Sequence, residues 1–424
     1  LRIFSIKTIY TFKLSKKNFE KLIWNKIKYI MKTIFYWSPC LSKVGTVKST
    51  LNSALALSRY SKKKYRVKII NTCGEWDEYS EILKKNDIDL VEFSFKYFSY
   101  LPKYGFIKSR ISYFIILLFS FLPLLKILKK EKPEFIIMHL LTSLPIILNN
   151  LFKFETKFIL RISGYPKLNM WRKFLWKISS KNIFKVTCPT KDLQFYLKQS
   201  NIFESKKIFY LQDAIINIEN YIKKTKDKNK ILLNKVENYN NYFLAVGRLT
   251  KQKNYQYLIS EFINYLEINK DSILLIIGEG EEKDKLVELI IKNNASNNIF
   301  ILSGIRNVYP FMKKAKALIL SSLWEEVGFV IVEAAFCNLF VISSDCPNGP
   351  KEFLENGSAG YLFESNKKNE LKKKLQNYER EKKNLNRFKV KAKKNSLNYT
   401  LFRHYLSLIK ILTVDVSSTT LMIK

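Results

Sequence analysis

Short apolar runs alternate with amphipathic segments along most of this chain. In the first half, the pattern predicts strands at 33–37, 66–71, 90–95, 135–138, 157–162 and 184–188, with helices at 48–60 and 78–85. Short apolar runs separated by helices with one apolar face are typical of buried parallel strands. We therefore predict a doubly wound α/β domain with helices on both faces of a parallel sheet.

A second alternating series follows a polar segment. It comprises strands at 242–246, 273–277, 299–302, 317–321 and 340–343, and helices at 255–268, 282–292, 309–314 and 330–337. The predicted organisation is an extension at 1–30, a domain at 31–218, a Lys- and Asn-rich linker at 219–241, a second domain at 242–395, and a helix and tail at 396–424. Two such domains place a ligand in the cleft beyond the carboxyl ends of their strands.

Charge is the most unusual feature of the composition. The chain has 424 residues, 74 Lys or Arg against 36 Asp or Glu, a formal net charge of +38, and 47% hydrophobic residues. This apolar content excludes a disordered or fibrous protein. A basic nucleic-acid-binding protein is one interpretation of the charge, but no nucleic-acid motif accompanies it. We therefore expect an anionic surface or ligand and no nucleic acid.

Few residues are candidates for metal binding. The five cysteines form no C-x-x-C pair, and the two histidines, His139 and His404, lie far apart in the sequence. A zinc or histidine-based metal centre is therefore not expected. Asp87 and Asp89 have the D-x-D spacing that binds a metal-bound nucleotide in some transferases, but so short a pattern recurs by chance. We predict no metal site.

The clearest site chemistry follows the strand at 317–321. A loop there contains Glu325 and Gly328, and an apolar helix starts near Phe329. Free N–H groups at a helix start favour a phosphate, and Gly328 lets the backbone approach closely. Glu325 and Glu333 could face the same cleft, where a carboxylate accepts hydrogen bonds from two sugar hydroxyls at once.

Two other strand ends of the second domain carry glycines and cations. Gly247, Arg248 and Lys253 follow its first strand, where a glycine turn and two cations suit a diphosphate. Gly278 follows its second strand in a Gly-x-Gly turn, which is a weak signal by itself.

These motifs resemble glycosyltransferase family 4, whose members have the GT-B fold of two Rossmann-like domains facing across a cleft. The matching segments occur in family order, at 246–253, 276–280, 301–304, the Glu325 and Glu333 pair, and 348–363. The resemblance implies that Arg248 and Lys253 hold the diphosphate of a nucleotide-sugar donor. Glu333 would hold its ribose, and Glu325 would contact the transferred sugar. The implied reaction retains the anomeric configuration and needs no metal or other cofactor.

The resemblance also assigns backbone and amino-terminal residues to the donor site. They are Gly45, Ser163, Gly247, Gly278, Gly328 and Phe329. Ser163, with Arg161 as the alternative, stands where the family usually has a histidine and would meet either the donor sugar or the acceptor. His139 is either a site residue or a structural histidine. Glu326 replaces the family's usual glycine, so a register shift of one residue would give Glu326 the role of Glu325.

A narrower similarity, over 137–145 and 161–177, is to bacterial transferases that assemble surface polysaccharides such as O-antigen. It implies a lipid-linked saccharide acceptor and a hexosyltransferase that acts in lipopolysaccharide or related polysaccharide biosynthesis. Another GT-B enzyme, such as a sugar-nucleotide epimerase, remains an alternative.

Two segments favour contact with a membrane. Residues 111–125 are nearly all apolar, but as a helix they span about 22 Å, less than the roughly 30 Å of a bilayer core. Residues 365–394 carry 13 Lys or Arg against three Glu. We expect a cytoplasmic enzyme held peripherally on the inner face of the cytoplasmic membrane, with the apolar segment at the interface or packed in the domain. An integral membrane protein with 111–125 as its span is the alternative.

Overall fold

The computed structural model describes residues 31–41, 45–93, 98, 100–102, 106–227, 237, 239, 241–381 and 384–414, without the side chains of 106–109. The predicted extension at 1–30 lies outside the described residues, as do parts of the predicted linker and tail. Within the described ranges, the chain forms two α/β domains, each built on one sheet.

The amino-terminal sheet has seven strands among the described residues. They are β1 (Lys32–Trp37), β2 (Tyr65–Asn71), β3 (Asp89–Glu92), β4 (Phe135–Met138), β5 (Lys157–Arg161), β6 (Ile183–Cys188) and β7 (Ile208–Tyr210). Their order is β3-β2-β1-β4-β5-β6-β7, and all neighbours are parallel. Successive side chains point to opposite faces of a sheet, and Phe35 and Tyr36 of β1 enter different cores.

The carboxy-terminal sheet repeats this plan with six described strands. They are β8 (Tyr242–Val246), β9 (Ile273–Ile277), β10 (Ile299–Leu302), β11 (Ala317–Leu320), β12 (Phe340–Ser344) and β13 (Tyr361–Phe363). Their order is β10-β9-β8-β11-β12-β13, again all parallel. The prediction of two doubly wound parallel-sheet domains is confirmed.

Helices cover the faces of both sheets. Those of the amino-terminal half are α1 (Gly45–Tyr60), α2 (Ser80–Lys85), α3 (Phe106–Glu131), α4 (Ser143–Phe152), α5 (Met170–Ser179), α6 (Lys191–Gln199) and α7 (Ile218–Thr225). Those of the carboxy-terminal half are α8 (Tyr255–Leu266), α9 (Lys283–Lys292), α10 (Tyr309–Lys314), α11 (Phe329–Phe336), α12 (Gly349–Phe353), α13 (Glu370–Arg380), α14 (Asn386–Ser396) and α15 (Leu401–Thr413).

The apolar segment at 111–125 is part of a helix that is longer than the sequence predicted. It lies inside α3, a helix of 26 residues with Pro123 in its interior. By length and composition alone, its Arg110–Glu131 stretch could cross a membrane. The expectation that this segment is too short to span was therefore wrong. One face of α3 nevertheless belongs to the domain, because Leu124 and Leu128 are buried in a core cluster.

The two domains are joined by two chain crossings that lie side by side. At the first crossing, the N–H groups of Ile215 and Ile216 donate to the carbonyl of Tyr399 on the second, at 2.8 and 2.9 Å. The chain then returns to the amino-terminal domain, where α15 packs on α1. The predicted linker begins as helix α7, which packs on α10, while residues 228–236 lie outside the described ranges.

Candidate active site

The candidate site lies where the order of strands reverses in each sheet. In the carboxy-terminal domain this point is between β8 and β11, and in the amino-terminal domain between β1 and β4. The connections on either side leave in opposite directions, so a crevice opens beyond the carboxyl ends of these strands. Lys253 and Glu325 follow β8 and β11, and Gly45 and His139 follow β1 and β4.

The loop after β8 is packed tightly against the loop after β9. The Gly247 N–H donates to the Ile277 carbonyl at 3.0 Å, and a β-carbon on Gly278 would lie 1.9 Å from the Gly247 carbonyl oxygen. Only glycine permits this approach. Arg248 and Arg306 line a cleft of about 640 Å³ beside the two glycines. The structure therefore brings together three of the predicted donor-site residues.

Glu325 is buried beside Lys253. The ammonium of Lys253 contacts Glu325 Oε1, and the Ser322 hydroxyl donates to the same oxygen at 2.6 Å. The two charged side chains are only 9% and 14% exposed, and opposite charges so buried persist when they are paired and hydrogen-bonded. The pair joins the loops after β8 and β11. It places the predicted phosphate cation next to the predicted sugar carboxylate.

Helix α11 begins at the same edge of the sheet. Gly328 precedes it with φ +77°, in the left-handed region that favours glycine, and Phe329 is its first residue. The N–H groups of a helix's first turn lack partners within the helix and carry partial positive charge. The predicted phosphate-binding segment therefore has the expected local structure.

Glu333, one turn into α11, makes its ion pair across the domain cleft. Its Oε1 lies 2.5 Å from the ammonium of Lys48 on α1, and the Tyr309 hydroxyl donates to it at 3.5 Å. Burial lowers the pKa of nearby Lys224, and Lys48 lowers it further, while Glu333 opposes the shift. The predicted ribose carboxylate is thus surrounded by groups from both domains and from α7.

In the amino-terminal domain, Ser163 lines a cavity of about 650 Å³ that also includes His139 and Arg161. Arg161 donates to Asp213 at 2.7 Å, with both side chains at most 3% exposed, which indicates a structural ion pair. Gly45 starts α1, and a β-carbon there would meet no atom of the described residues within 4 Å. Its backbone therefore shows no close approach that requires glycine.

The ring of His139 is buried and unusual among the described residues. Both ring nitrogens lack a hydrogen-bond partner, and the side chain borders both the 650 Å³ cavity and a much smaller one beneath it. Burial holds its pKa well below the usual range, and the neighbouring Arg161 adds to this effect. His139 is therefore neutral and faces the cavity that Ser163 lines.

The two adjacent glutamates of the β11 loop point to different sides. Glu325 forms a single β-bridge with Asn348, and successive side chains of extended backbone alternate in direction. Glu325 accordingly faces Lys253, whereas Glu326 lies against Gly164 of the other domain. This geometry favours the register that assigns the donor sugar to Glu325.

Sequence reasoning missed three residues that complete these contacts. They are Lys48, Tyr309 and Ser322, the partners of Glu333 and Glu325. The serine could have been suspected, because it precedes Glu325 by three residues at a strand end. Lys48 is 285 positions from Glu333, and no local pattern connects them.

The D-x-D spacing at 87–89 lies away from this site. Asp89 begins the edge strand β3 and pairs with Arg66 at 2.6 Å, while Asp87 adopts φ +52° in the preceding turn. Among the described residues, no three His, Cys, Asp or Glu side chains are grouped as metal ligands.

Comparison with known proteins identifies the region that carries these residues. Residues 224–395 match the family model described as glycosyl transferases group 1. The chain carries a glycosyltransferase group 1 domain. This domain contains Arg248, Lys253, Glu325 and Glu333, so the prediction of a glycosyltransferase domain is confirmed.

Two curated relatives align with parts of the chain. An uncharacterized glycosyltransferase of Methanocaldococcus jannaschii, MJ1059, is 33% identical over 258 residues, or 54% of this chain and 60% of that protein. The N-acetylgalactosamine-N,N'-diacetylbacillosaminyl-diphospho-undecaprenol 4-alpha-N-acetylgalactosaminyltransferase of Campylobacter jejuni is 32% identical over 130 residues, or 31% and 35%. The chain thus spans about three fifths or less of these relatives.

A solved structure shows the same architecture over nearly the whole chain. Anabaena Alr3699/HepE, crystallised in complex with UDP, superposes with a TM-score of 0.67 over 90% of this chain and all of that one, at 14% identity. At such low identity the likeness concerns the fold. The fold is GT-B, as predicted.

Proposed function

We propose that this protein is a retaining glycosyltransferase that moves a sugar from a nucleotide-diphosphate sugar to a lipid-linked saccharide. The observation that carries the proposal is the contact of Lys253 with Glu325 beside the start of α11. A cation, a carboxylate and a helix N-terminus meet there, as the junction of a sugar and a diphosphate requires. The group 1 domain and the UDP complex of a protein with the same fold support a nucleotide donor.

In the proposed reaction, an acceptor hydroxyl oxygen forms a bond to the anomeric carbon on the face that the diphosphate leaves. The bond from that carbon to the phosphate oxygen breaks, and the departing phosphate oxygen takes the hydroxyl proton. Arg248, Lys253 and the first-turn amides of α11 stabilise the charge that develops on the phosphate. We propose that this positive charge makes a metal unnecessary.

The acceptor proposal rests on relatives and on charge. The Campylobacter relative is named for an acceptor that contains diphospho-undecaprenol. A net charge of +38 suits an anionic lipid surface, where each lysine or arginine contributes about 1 kcal/mol. We propose a role in the biosynthesis of a bacterial surface polysaccharide, with the enzyme peripheral on the cytoplasmic face of the membrane.

Two helices of the amino-terminal domain supply the apolar side of such contact. Helix α3 exposes Ile111, Phe114, Leu118 and Leu122, each more than half exposed, along one face. Because its opposite face is packed in the domain, we propose that α3 lies on the membrane rather than across it.

Helix α5 exposes Trp171 and Phe174, and the cations Arg172 and Lys173 lie between them in the sequence. Trp171 and Arg172 also line the 650 Å³ cavity, so a lipid surface on α5 would hold a lipid-linked acceptor at its entrance.

Calorimetric titration with nucleoside diphosphates tests the donor site. We expect Arg248→Ala and Glu333→Gln to weaken binding about tenfold or more, because each removes a charge-assisted hydrogen bond of roughly 1.5–3 kcal/mol. Glu288→Gln, which removes an exposed carboxylate from α9 of the same domain, is the matched control. Unchanged affinity in both site variants would refute the assignment. A separate activity assay tests the epimerase alternative, because an epimerase would convert the nucleotide sugar to product without an acceptor.

Cosedimentation with vesicles of anionic or neutral phospholipid tests the membrane proposal. We expect binding to anionic vesicles at low salt and partial release at 1 M salt, where the Debye length falls to about 3 Å. Trp171→Ala with Phe174→Ala should weaken binding, whereas Ile291→Ala, an exposed apolar residue of α9, should not. Equal recovery in the supernatant with both lipids at low salt would argue against a membrane enzyme.

A further inference from the structure

Glu326 is the carboxylate of the cleft that the donor-site assignments leave unused. It belongs to the β11 loop of the carboxy-terminal domain but projects into the 650 Å³ cavity of the amino-terminal domain. A β-carbon on Gly164 would lie 3.4 Å from Glu326 Oε1. Glycine at 164 therefore leaves room for this side chain at the boundary between the domains.

The other carboxylates of the cleft have partners, and Glu326 has none among the described residues. Glu325 is paired with Lys253, Glu333 with Lys48, and Asp213 with Arg161. No hydrogen bond or ion pair of comparable length engages Glu326 within the described part of the chain. A carboxylate with free acceptor sites in a polar cavity is suited to bind hydroxyl donors.

The lining of the cavity suits a carbohydrate. It combines aromatic faces, from Trp171 and Trp176, with polar groups, from Ser163 and Asn169. Such cavities bind a ligand mainly by apolar contact, and a few polar groups fix its orientation. The neutral ring of His139, with both nitrogens unpartnered and its side chain 8% exposed, borders the same space. The cavity therefore offers a sugar both apolar surface and hydrogen-bonding groups.

We propose that Glu326 binds the acceptor: its carboxylate accepts hydrogen bonds from hydroxyls of a neutral sugar in this cavity and disfavours acidic sugars such as uronic acids. The inference rests on the proposed function. It gives the adjacent glutamates separate tasks, since Glu325 faces the donor side and Glu326 faces the acceptor side. Glu326 is thereby a specificity-determining residue that touches substrate.

The protonation state of Glu326 gives the proposal an independent readout. Burial between the domains raises its pKa to about 7, and Asp213 and Glu325 raise it further while Arg161 and Lys253 oppose them. The side chain keeps surface exposed to the cavity, where a ligand can reach it. Of the other groups that line the cavity, burial lowers the pKa of His139 and raises the pKa of Tyr113, so neither changes its charge between pH 6 and pH 8. Binding that needs the ionised carboxylate should therefore strengthen as the pH rises through about 7.

The experiment uses the full chain, with octyl β-D-glucoside and octyl β-D-glucuronide below micelle-forming concentrations as probes. Trp171 and Trp176 report binding through their fluorescence, because they line the same cavity. Calorimetry with UDP is run on every variant. We expect Glu326→Gln to weaken glucoside binding about tenfold. The variant should also lose the preference of the wild type for the glucoside over the glucuronide. It should leave the affinity for UDP within twofold of the wild type.

Glu288→Gln, which removes an exposed carboxylate from α9 of the same domain, serves as the charge control and should change the affinity for neither ligand. We expect glucoside affinity to rise between pH 6 and pH 8 in the wild type and to stay level in Glu326→Gln. The inference is overturned if the variant binds glucoside as the wild type does, or if it loses UDP and glucoside equally. A wild type that binds no nucleoside diphosphate overturns the proposed function instead, whichever result the glucoside gives.

Discussion

The pairing of Lys253 with Glu325 makes a quantitative prediction about pH. Replacing Lys253 with methionine keeps the length of the side chain but removes the cation that faces a buried carboxylate. Among the described residues, only the hydroxyl of Ser322 then donates to Glu325 Oε1. A lone carboxylate in such a place takes up a proton on folding, because burying an unpaired charge costs more than neutralising it.

The cost of that proton sets the size of the effect. An unfolded glutamate titrates near 4.3, so protonating it costs about 3.7 kcal/mol at pH 7 and about 1 kcal/mol at pH 5. The folded variant binds one more proton than its unfolded state, and its stability therefore falls as the pH rises. We expect Lys253→Met to lose about 3–4 kcal/mol of unfolding free energy at pH 7 and about 1 kcal/mol at pH 5.

Urea unfolding at the two pH values measures this difference. Hydrogen exchange of β8 and β11 shows which transition belongs to the carboxy-terminal domain. Lys251→Met, an exposed lysine of the same turn, is the matched control and should change little. The double variant Lys253→Met with Glu325→Gln removes the titrating group and should abolish the pH dependence. A loss of stability in Lys253→Met that is the same at both pH values would refute the reasoning.

Three further predictions follow from single contacts. Gly278→Ala should destabilise the domain by about 3 kcal/mol in urea unfolding, because the new β-carbon would lie 1.9 Å from a backbone oxygen. Gly45→Ala is the control and should be nearly neutral, because its β-carbon would meet no described atom within 4 Å. Burial lowers the pKa of His404 from 6.5 to about 4, so the unfolded state binds more protons than the folded state as the pH falls. The free energy of unfolding should therefore drop by about 3 kcal/mol between pH 7 and pH 4. His404→Gln should remove this part of the pH dependence. Lys48→Met frees Glu333 from a half-exposed ion pair of at most about 1 kcal/mol and should tighten nucleotide binding by up to about fivefold in calorimetry; weaker binding would mean that Lys48 itself contacts the nucleotide.

The sequence predicted the strands with long apolar runs more accurately than those with short ones. Strands such as β9 and β12, which are continuous and apolar, were predicted nearly to their ends. The three-residue strands β7 and β13 were missed, since so short a run resembles a loop. Helix α3 was shortened at both ends because its flanking lysines hide the continuation of the helical pattern.

The candidate site divides in the same way. Glu325, Gly328 and Glu333 were predictable because one loop and one helix hold all three in consecutive turns. The ion pair of Glu333 with Lys48 was not, because it exists only when the two domains meet. A fully buried lysine in β6, Lys185, was equally beyond prediction: its ammonium bonds to carbonyl groups at the end of α15, among them that of Val414 at 2.5 Å.

The return of α15 to the first domain has a consequence for how the protein is made. A ribosome synthesises β1 to β7 before α15, so the face of α1 that binds α15 stays uncovered until α15 has been made. His404, which bonds to Ser53 at 2.8 Å and to the carbonyl of Gln212 at 2.6 Å, arrives only after the entire second domain. The nascent chain must therefore keep this apolar surface apart from its neighbours while the residues between α1 and α15 are translated. The amino-terminal domain is thus completed only after the carboxy-terminal domain has been made.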